Sequence, residues 1–158
     1  MIKNMTIAAA MLLTAGLASN AEAADPGSST GTWKLNLKES IPPQGRTFHQ
    51  YTVVVKEVDD ASLEFEYTNT DDKGQPLTFG YKGVTDGVVR DMPGNMNMRG
   101  AMVRLPAGTI KAQLWMADGS YEEKFCQLDV GMQKNICLAT VTAADGSVVF
   151  FKQVLDRQ

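Results

Sequence analysis

Aromatic side chains recur at every second position in two neighbouring stretches of this chain. Phe65 and Tyr67 alternate with charged or polar residues, and after a turn the pattern returns at Phe79 and Tyr81. Alternate side chains of a strand point to opposite faces, so we expect the four rings on one face of a β-hairpin. Such a face is typical of a pocket for a small hydrophobic molecule, and equally of a filled core. The sequence leaves both interpretations open.

A short segment further along the chain contains four methionines, Met92, Met96, Met98 and Met102. At period two, Met96, Met98 and Met102 share a strand face, where flexible thioethers would extend the ligand-binding wall formed by the aromatic rings. Thioethers are also soft ligands for Cu(I). An alternative hypothesis is therefore a Cu(I)-handling protein that uses Met92, Met96 and Met98, together with His49.

His49 is the only histidine of the chain. Period two places it on a strand face with Tyr51 and Val53, and we expect this face to point inward. A general base at this position could act with Tyr67 or Tyr81 polarising a substrate carbonyl, so an isomerase or lyase is a second alternative. The chain has no G-x-S-x-G or H-E-x-x-H motif. A structural histidine is the more common case, and the sequence favours a protein that is not an enzyme and has no cofactor.

The charges of the chain are nearly balanced and interspersed. Lys and Arg number 15 and Asp and Glu 18, which gives a formal net charge of −3. Without a cluster of basic residues, nucleic acid and anionic membrane surfaces are not expected as partners. Nothing in the sequence indicates an oligomeric state. The outward faces of the strands are expected to carry solvated carboxylates, namely Glu64, Glu66, Glu122 and Glu123.

The chain opens with the features of a secretory signal peptide. Lys3 precedes an apolar stretch of about fourteen residues, which is the length of a signal h-region and too short to span a bilayer. Small residues then predict cleavage after Ala23. We therefore expect a cleavable signal peptide over residues 1–23, a flexible leader over 24–30 and one domain over 31–158. The product would be periplasmic or secreted, without stable membrane insertion.

Both cysteines, Cys126 and Cys137, lie in the expected exported part, where an oxidising environment favours a disulfide. A hairpin turn at Gly131-Met132 would place the two cysteines opposite each other on neighbouring strands. A bridge that closes so short a loop should contribute about 2–3 kcal/mol to the free energy of unfolding. Two free buried thiols are the alternative.

Strands must position these residues, because apolar residues alternate with polar ones along most of the chain. About nine short strands are separated by turns rich in Pro, Gly, Asp and Asn, and no amphipathic helix is indicated. Such a succession predicts an all-β, antiparallel, up-and-down barrel of about eight or nine strands, which leaves no exposed edge. The interior of a barrel of this size is either filled or holds one small ligand.

The opening of the expected domain, Gly31-Thr32-Trp33-Lys34-Leu35-Asn36, resembles the G-x-W motif of lipocalins and the wider calycin group. With the Pro-containing loop that follows, it is similar to small uncharacterised bacterial exported proteins that have a lipocalin-like domain. The resemblance implies a lipocalin-like barrel in which Trp33 is a structural residue that plugs the closed end. In lipocalins a late Arg packs on this Trp, and neither Lys152 nor Arg157 stands at a matching position. The leading hypothesis is an exported lipocalin-like protein that binds a small apolar or amphipathic molecule.

Overall fold

The computed structural model of the chain describes residues 29–59, 61–70 and 73–158. Within these ranges there are ten β-strands, one 3₁₀ turn at Pro106–Gly108 and no α-helix. The strands are β1 (Gly31–Leu35), β2 (Thr52–Val58), β3 (Ser62–Thr70), β4 (Pro76–Val84), β5 (Arg90–Asp91), β6 (Arg99–Arg104), β7 (Ile110–Trp115), β8 (Tyr121–Leu128), β9 (Lys134–Thr142) and β10 (Val148–Arg157). The prediction of an all-β fold is confirmed.

The strands form one antiparallel sheet in the order β4-β3-β2-β1-β10-β9-β8-β7-β6-β5. Sequence neighbours pair throughout except for β4 and β5, which are the two edges, and β1 pairs with β10. The sheet curls until the edge strand β4 meets the loop that follows β5. The Gly80 N–H donates to the Pro93 carbonyl at 2.8 Å, and the Asn95 N–H donates to the Thr78 carbonyl at 3.0 Å. We call this contact between residues 78–80 and 93–95 the seam of the barrel.

The barrel has ten strands and not the predicted eight or nine. The additional strand is β5, whose residues Arg90 and Asp91 pair with Gly100 and Arg99 of β6. The sequence pattern indicated only a turn in this region. A strand of two residues contains no alternation by which a period-two pattern could reveal it.

The predicted disulfide is present between β8 and β9. Cys126 and Cys137 are direct register partners on the two strands and are bonded to each other. The turn between the strands includes Met132 at a positive φ of 54°. The prediction from the cysteine spacing and the turn residues is therefore confirmed.

Trp33 and Arg157 form a contact that the sequence did not predict. The Trp33 side chain is fully buried, and the guanidinium carbon of Arg157 lies 4.7 Å from its ring centroid, within the range of a cation–π interaction. The two residues are register partners on β1 and β10. The expectation that Arg157 is unsuited to this contact was wrong, because the pairing of the first strand with the last decides it. No local pattern in the sequence reports that pairing.

The signal peptide expected over residues 1–23, and the expected leader as far as residue 28, lie outside the described residues. In the part of the chain that the structure describes, no helix is long and apolar enough to cross a membrane.

Candidate ligand-binding cavity

The inward faces of the strands enclose a cavity of about 530 Å³. This volume is within the range of pockets that hold small molecules. Most of the wall is apolar, and its residues include Trp33, Tyr51, Val53, Val55, Leu63, Phe65, Tyr67, Phe79, Met102, Ile110, Ala112, Leu114, Cys126, Cys137 and Leu155. The aromatic face of the hairpin could have belonged to a pocket or to a filled core. The cavity shows that the interior of the barrel is hollow.

The cavity reaches the surface at the end of the barrel where β6 turns into β7 and β8 turns into β9. Ala107, Gly108 and Val130 line it there and are exposed. Alternate turns of an up-and-down barrel lie at the same end, so Asp59, which precedes β3, and Arg104, which ends β6, belong to this end as well. We call it the mouth.

The largest aromatic part of the wall comes from β3, β4 and Tyr51, the residue that precedes β2. The Tyr67 and Phe79 rings stack with centroids 4.4 Å apart, and Tyr51 packs on Tyr67 at 4.7 Å. Phe65 meets Phe79 edge to face at 6.2 Å. These residues are cross-strand or diagonal neighbours on one face of the sheet, as alternation along β3 and β4 predicts.

Four of the predicted ligand-binding residues, Phe65, Tyr67, Phe79 and Met102, line the cavity, and Tyr81 does not. The Tyr81 ring is buried, and its hydroxyl donates to the Val84 carbonyl at 2.6 Å. Burial raises the pKa of Tyr81, while the charge and hydrogen bond of Arg90 lower it. This side chain is engaged by Val84 at the end of β4 and by Arg90 of β5, and it is not part of the cavity wall.

Met96 and Met98 also lie away from the cavity. The reason is that β6 begins only after Met98, so the period-two argument assigned strand faces to residues outside a strand. Met98 and Met92 are buried and line a second pocket of about 400 Å³, together with Met116 and Trp115. Met96 is partly buried against the hydrophobic core.

His49 lies outside β2, which begins at Thr52. It is exposed and does not line the cavity. The prediction of a shared inward strand face with Tyr51 was therefore wrong. A physical reason is that β1, which flanks β2 on one side, ends at Leu35, whose N–H donates to the Tyr51 carbonyl at 3.1 Å, so His49 lies beyond the end of β1.

An ion pair inside the barrel was missed by the sequence analysis. The Lys124 Nζ lies 2.6 Å from the Glu122 Oε1, and the two side chains are only 17% and 14% exposed. The expectation that Glu122 lies on a solvated face was wrong. The register partner of Glu122 is Leu114, which is buried in the wall, and Cys126 of the same strand also lines the cavity. Glu122 and Lys124 stand four and two residues before Cys126 on β8, so they share its face. Assigning the disulfide to the interior would therefore have assigned both charged residues to the inner face.

The buried ion pair affects the tyrosines of the wall. Burial raises the pKa of Tyr67 to about 12; a hydrogen bond with Asn69 opposes this shift, and the negative charge of Glu122 adds to it. Burial raises the pKa of Tyr51 still further, with contributions from Tyr67 and Glu122. Both phenols are therefore neutral hydrogen-bond donors at physiological pH.

Two further polar side chains of the wall contain buried atoms without a hydrogen-bond partner among the described residues. These atoms are the Nε and Nη2 of Arg104 and the Oδ1 of Asn135. Leaving a buried donor or acceptor unpaired costs about 1–3 kcal/mol, so nearly all such groups in proteins find a partner. In the wall of a cavity, a ligand or water can supply one.

Among the residues that the structure describes, no group of three or more His, Cys, Asp or Glu side chains is arranged to hold a metal ion.

No protein-family model and no curated protein matches this chain. Solved structures do. A redesigned β-barrel aligns with a TM-score of 0.52 at 15% identity, over 82% of this chain and 90% of that chain. A point mutant of the fluorescent protein UnaG aligns with a TM-score of 0.54 at 14% identity, over 82% and 96%. Zebrafish ileal bile acid-binding protein in complex with cholic acid aligns with a TM-score of 0.47 at 15% identity, over 82% and 98%. The likeness to the first two shows a shared barrel fold.

Proposed function

We propose that this protein is exported and binds a small apolar or amphipathic molecule inside its barrel. The observation that carries the proposal is the cavity of about 530 Å³, which is mostly apolar and reaches the surface at the mouth. Each Å² of apolar surface that a ligand removes from water is worth about 25 cal/mol. Stacked rings on one side and aliphatic side chains on the other offer such surface without a large rearrangement.

Export is the part of the proposal that rests on residues 1–23. The disulfide supports it, because such bonds persist mainly in oxidising compartments. N-terminal sequencing of the protein recovered from the periplasmic fraction should begin at Ala24. Recovery of the uncleaved chain from the cytoplasm would contradict export and leave the binding proposal standing.

A binding function is better supported than a catalytic function that uses His49. The histidine lies outside the cavity, whereas Tyr67 lines it. The isomerase or lyase alternative would need these side chains on one substrate.

Cavity-filling variants test the binding proposal. Ala112 is buried in the wall, so Ala112→Trp should occupy the ligand volume and lower the affinity for anilinonaphthalene sulfonate, an environment-sensitive fluorophore, at least tenfold. Ile110→Trp, closer to the mouth, fills the same cavity at a less buried site. Thr140→Trp is the matched control, because Thr140 is exposed and absent from the lining. Folded Ala112→Trp and Ile110→Trp proteins that bind the probe like the unchanged protein would overturn the proposal.

The native ligand can be sought directly. Native mass spectrometry of the protein purified from its own periplasm should reveal a co-purifying small molecule. That molecule should be absent from the folded Ala112→Trp variant and present in Thr140→Trp.

A Cu(I)-handling function is a second candidate, because three thioethers line one pocket. They belong to Met92, Met98 and Met116, so that Met116 takes the place expected for Met96. Competition against a chromogenic Cu(I) chelator tests it. Combined Met92→Leu and Met98→Leu substitutions should abolish competition, while Met102→Leu, in the other cavity, should not. Equal competition by all proteins, or none by the unchanged protein, would discard this candidate.

A further inference from the structure

The unpaired guanidinium of Arg104 is the most informative polar group of the cavity. Arg104 is the last residue of β6 and pairs with Ile110 across the turn at the mouth. Its Nε and Nη2 atoms are both buried and have no acceptor among the described residues. These two nitrogens form one edge of the planar guanidinium group, and their N–H bonds point in the same direction. This edge matches the two oxygens of a carboxylate.

The carboxylates around Arg104 are occupied by other partners. Asp59 accepts hydrogen bonds from the backbone N–H groups of Ala61 and Ser62 at 2.7 and 2.6 Å. The backbone hydrogen bond from Ala61 is the main reason that the pKa of Asp59 is lowered, and the charge of Arg104 is only a minor cause. Asp59 is also exposed, so water screens its charge.

Among the described residues, two other acidic side chains face this interior, and both are engaged as well. Asp129, at the mouth, accepts hydrogen bonds from the N–H groups of Gln133 and Lys134, each at 2.9 Å. Deeper in the barrel, Glu122 is paired with Lys124, the other cation of the wall. Arg104, which lines the cavity, therefore has a positive charge and two buried donors that these carboxylates do not take up.

We propose, on the basis of the binding function above, that the ligand is an amphipathic carboxylic acid whose carboxylate accepts two hydrogen bonds from Arg104. The position of Arg104 at the mouth gives the ligand its orientation. The acid group lies at the mouth. The apolar part extends towards Tyr67 and Phe79, which lie on β3 and β4 at a greater distance from the mouth. The ion pair between Glu122 and Lys124 has no net charge and does not compete for the acid group.

Decanoate and decanol are probes that share a chain length and differ in the acid group. By isothermal titration calorimetry, the unchanged protein should bind decanoate at least tenfold more tightly than decanol. Arg104→Gln should lower the affinity for decanoate by about ten- to hundredfold, the range for a hydrogen bond to a charged group, and leave decanol unaffected. Arg104→Lys keeps the charge without the planar fork and should cause a smaller loss. Lys111→Gln removes a cation on the outer face, next to Glu123, and should change neither affinity.

The outcomes separate the two proposals. Equal binding of decanoate and decanol, with no effect of Arg104→Gln, would overturn the acid ligand and leave the binding cavity in place. Equal weakening of both probes by Arg104→Gln and Arg104→Lys would assign Arg104 a purely structural role and would also overturn it. No binding of either probe to the unchanged protein would overturn both proposals.

Discussion

At the scale of single residues, the ion pair between Glu122 and Lys124 gives an apolar interior a fixed electrostatic pattern. Removing two charges from water costs more free energy than an apolar pair of similar volume would, so such pairs are weak contributors to stability. Their effect here is on their neighbours. Burial is the main cause of the raised pKa of both Tyr51 and Tyr67, and the negative charge of Glu122 adds to it.

The titration of Tyr67 tests this pattern. Its raised pKa, about 12, means that the folded state holds this proton more tightly than the unfolded state does. The resulting stabilisation is complete below the ordinary tyrosine pKa of about 10 and is lost as the pH rises through the folded value. Glu122→Gln should lower the pKa of Tyr67 without restoring its ordinary value, because burial is the larger cause.

Phenolate absorbance, recorded with circular dichroism to confirm that the strands persist, measures this shift. The Tyr67→Phe variant, which lacks this phenol, identifies the part of the absorbance change that belongs to Tyr67. Glu66→Gln is the control, since Glu66 neighbours Tyr67 in sequence but is exposed on the outer face, where it pairs with Lys56. An equal shift in both glutamate variants would contradict an interior origin of the effect.

At the scale of elements, the segment between β4 and β6 closes the barrel. It contains the shortest strand, one side of the seam and the buried Met92 and Met98, and its Arg90 donates a hydrogen bond to the Tyr81 hydroxyl at 3.4 Å. Gly94 makes the closest approach at the seam. Its φ is 126°, and a Cβ atom on it would lie 2.2 Å from the Thr78 carbonyl oxygen. Only glycine allows the two backbones to meet there.

Gly94→Ala should therefore open the seam. Gly74→Ala is a matched control, because Gly74 also has a positive φ of 77° but has no atom within 4 Å of a Cβ position. We expect the control to lose about 1–2 kcal/mol of unfolding free energy through backbone strain alone. Gly94→Ala should lose at least about 2 kcal/mol more through the clash. Urea unfolding measures both, and equal losses would show that the seam does not hold the barrel closed.

At the scale of the whole molecule, turn carboxylates link stability to pH. Asp118 and Asp145 each have a lowered pKa, caused first by a side-chain hydrogen bond with a serine two residues later and then by the backbone N–H of that serine. Asp59 accepts comparable bonds before β3. All three caps lie in tight turns between adjacent strands, so they act on the hairpins from which the barrel is built.

The free energy of unfolding should consequently fall in acid. A carboxyl group whose pKa is lowered by folding stabilises the native state above its unfolded pKa of about 4, and this contribution is lost as the pH falls through the folded value. The melting temperature, measured from neutral pH to acid, should show a plateau and then a decline. Asp118→Asn combined with Asp145→Asn should lower the plateau and make the decline shallower. An unchanged acid slope would show that these caps do not couple protonation to folding.

Local patterns in the sequence were sufficient for nine of the ten strands, the disulfide and the aromatic part of the cavity wall on β3 and β4. Period-two alternation reports the face of each residue in a long strand, which is why Phe65, Tyr67 and Phe79 were placed correctly. Cys126 and Cys137 are close in sequence, so a single turn decides their pairing. The same reasoning failed for His49 and Met98, because alternation has no meaning outside a strand.

Tertiary structure alone decided which inward residues line the cavity and which close the barrel. The contact of Arg157 with Trp33 depends on the pairing of the last strand with the first. The unpaired edge of Arg104 depends on where the neighbouring turns place their carboxylates. Both depend on the closure of the whole sheet, which brings together residues that are far apart in the chain and that no local pattern of side chains connects.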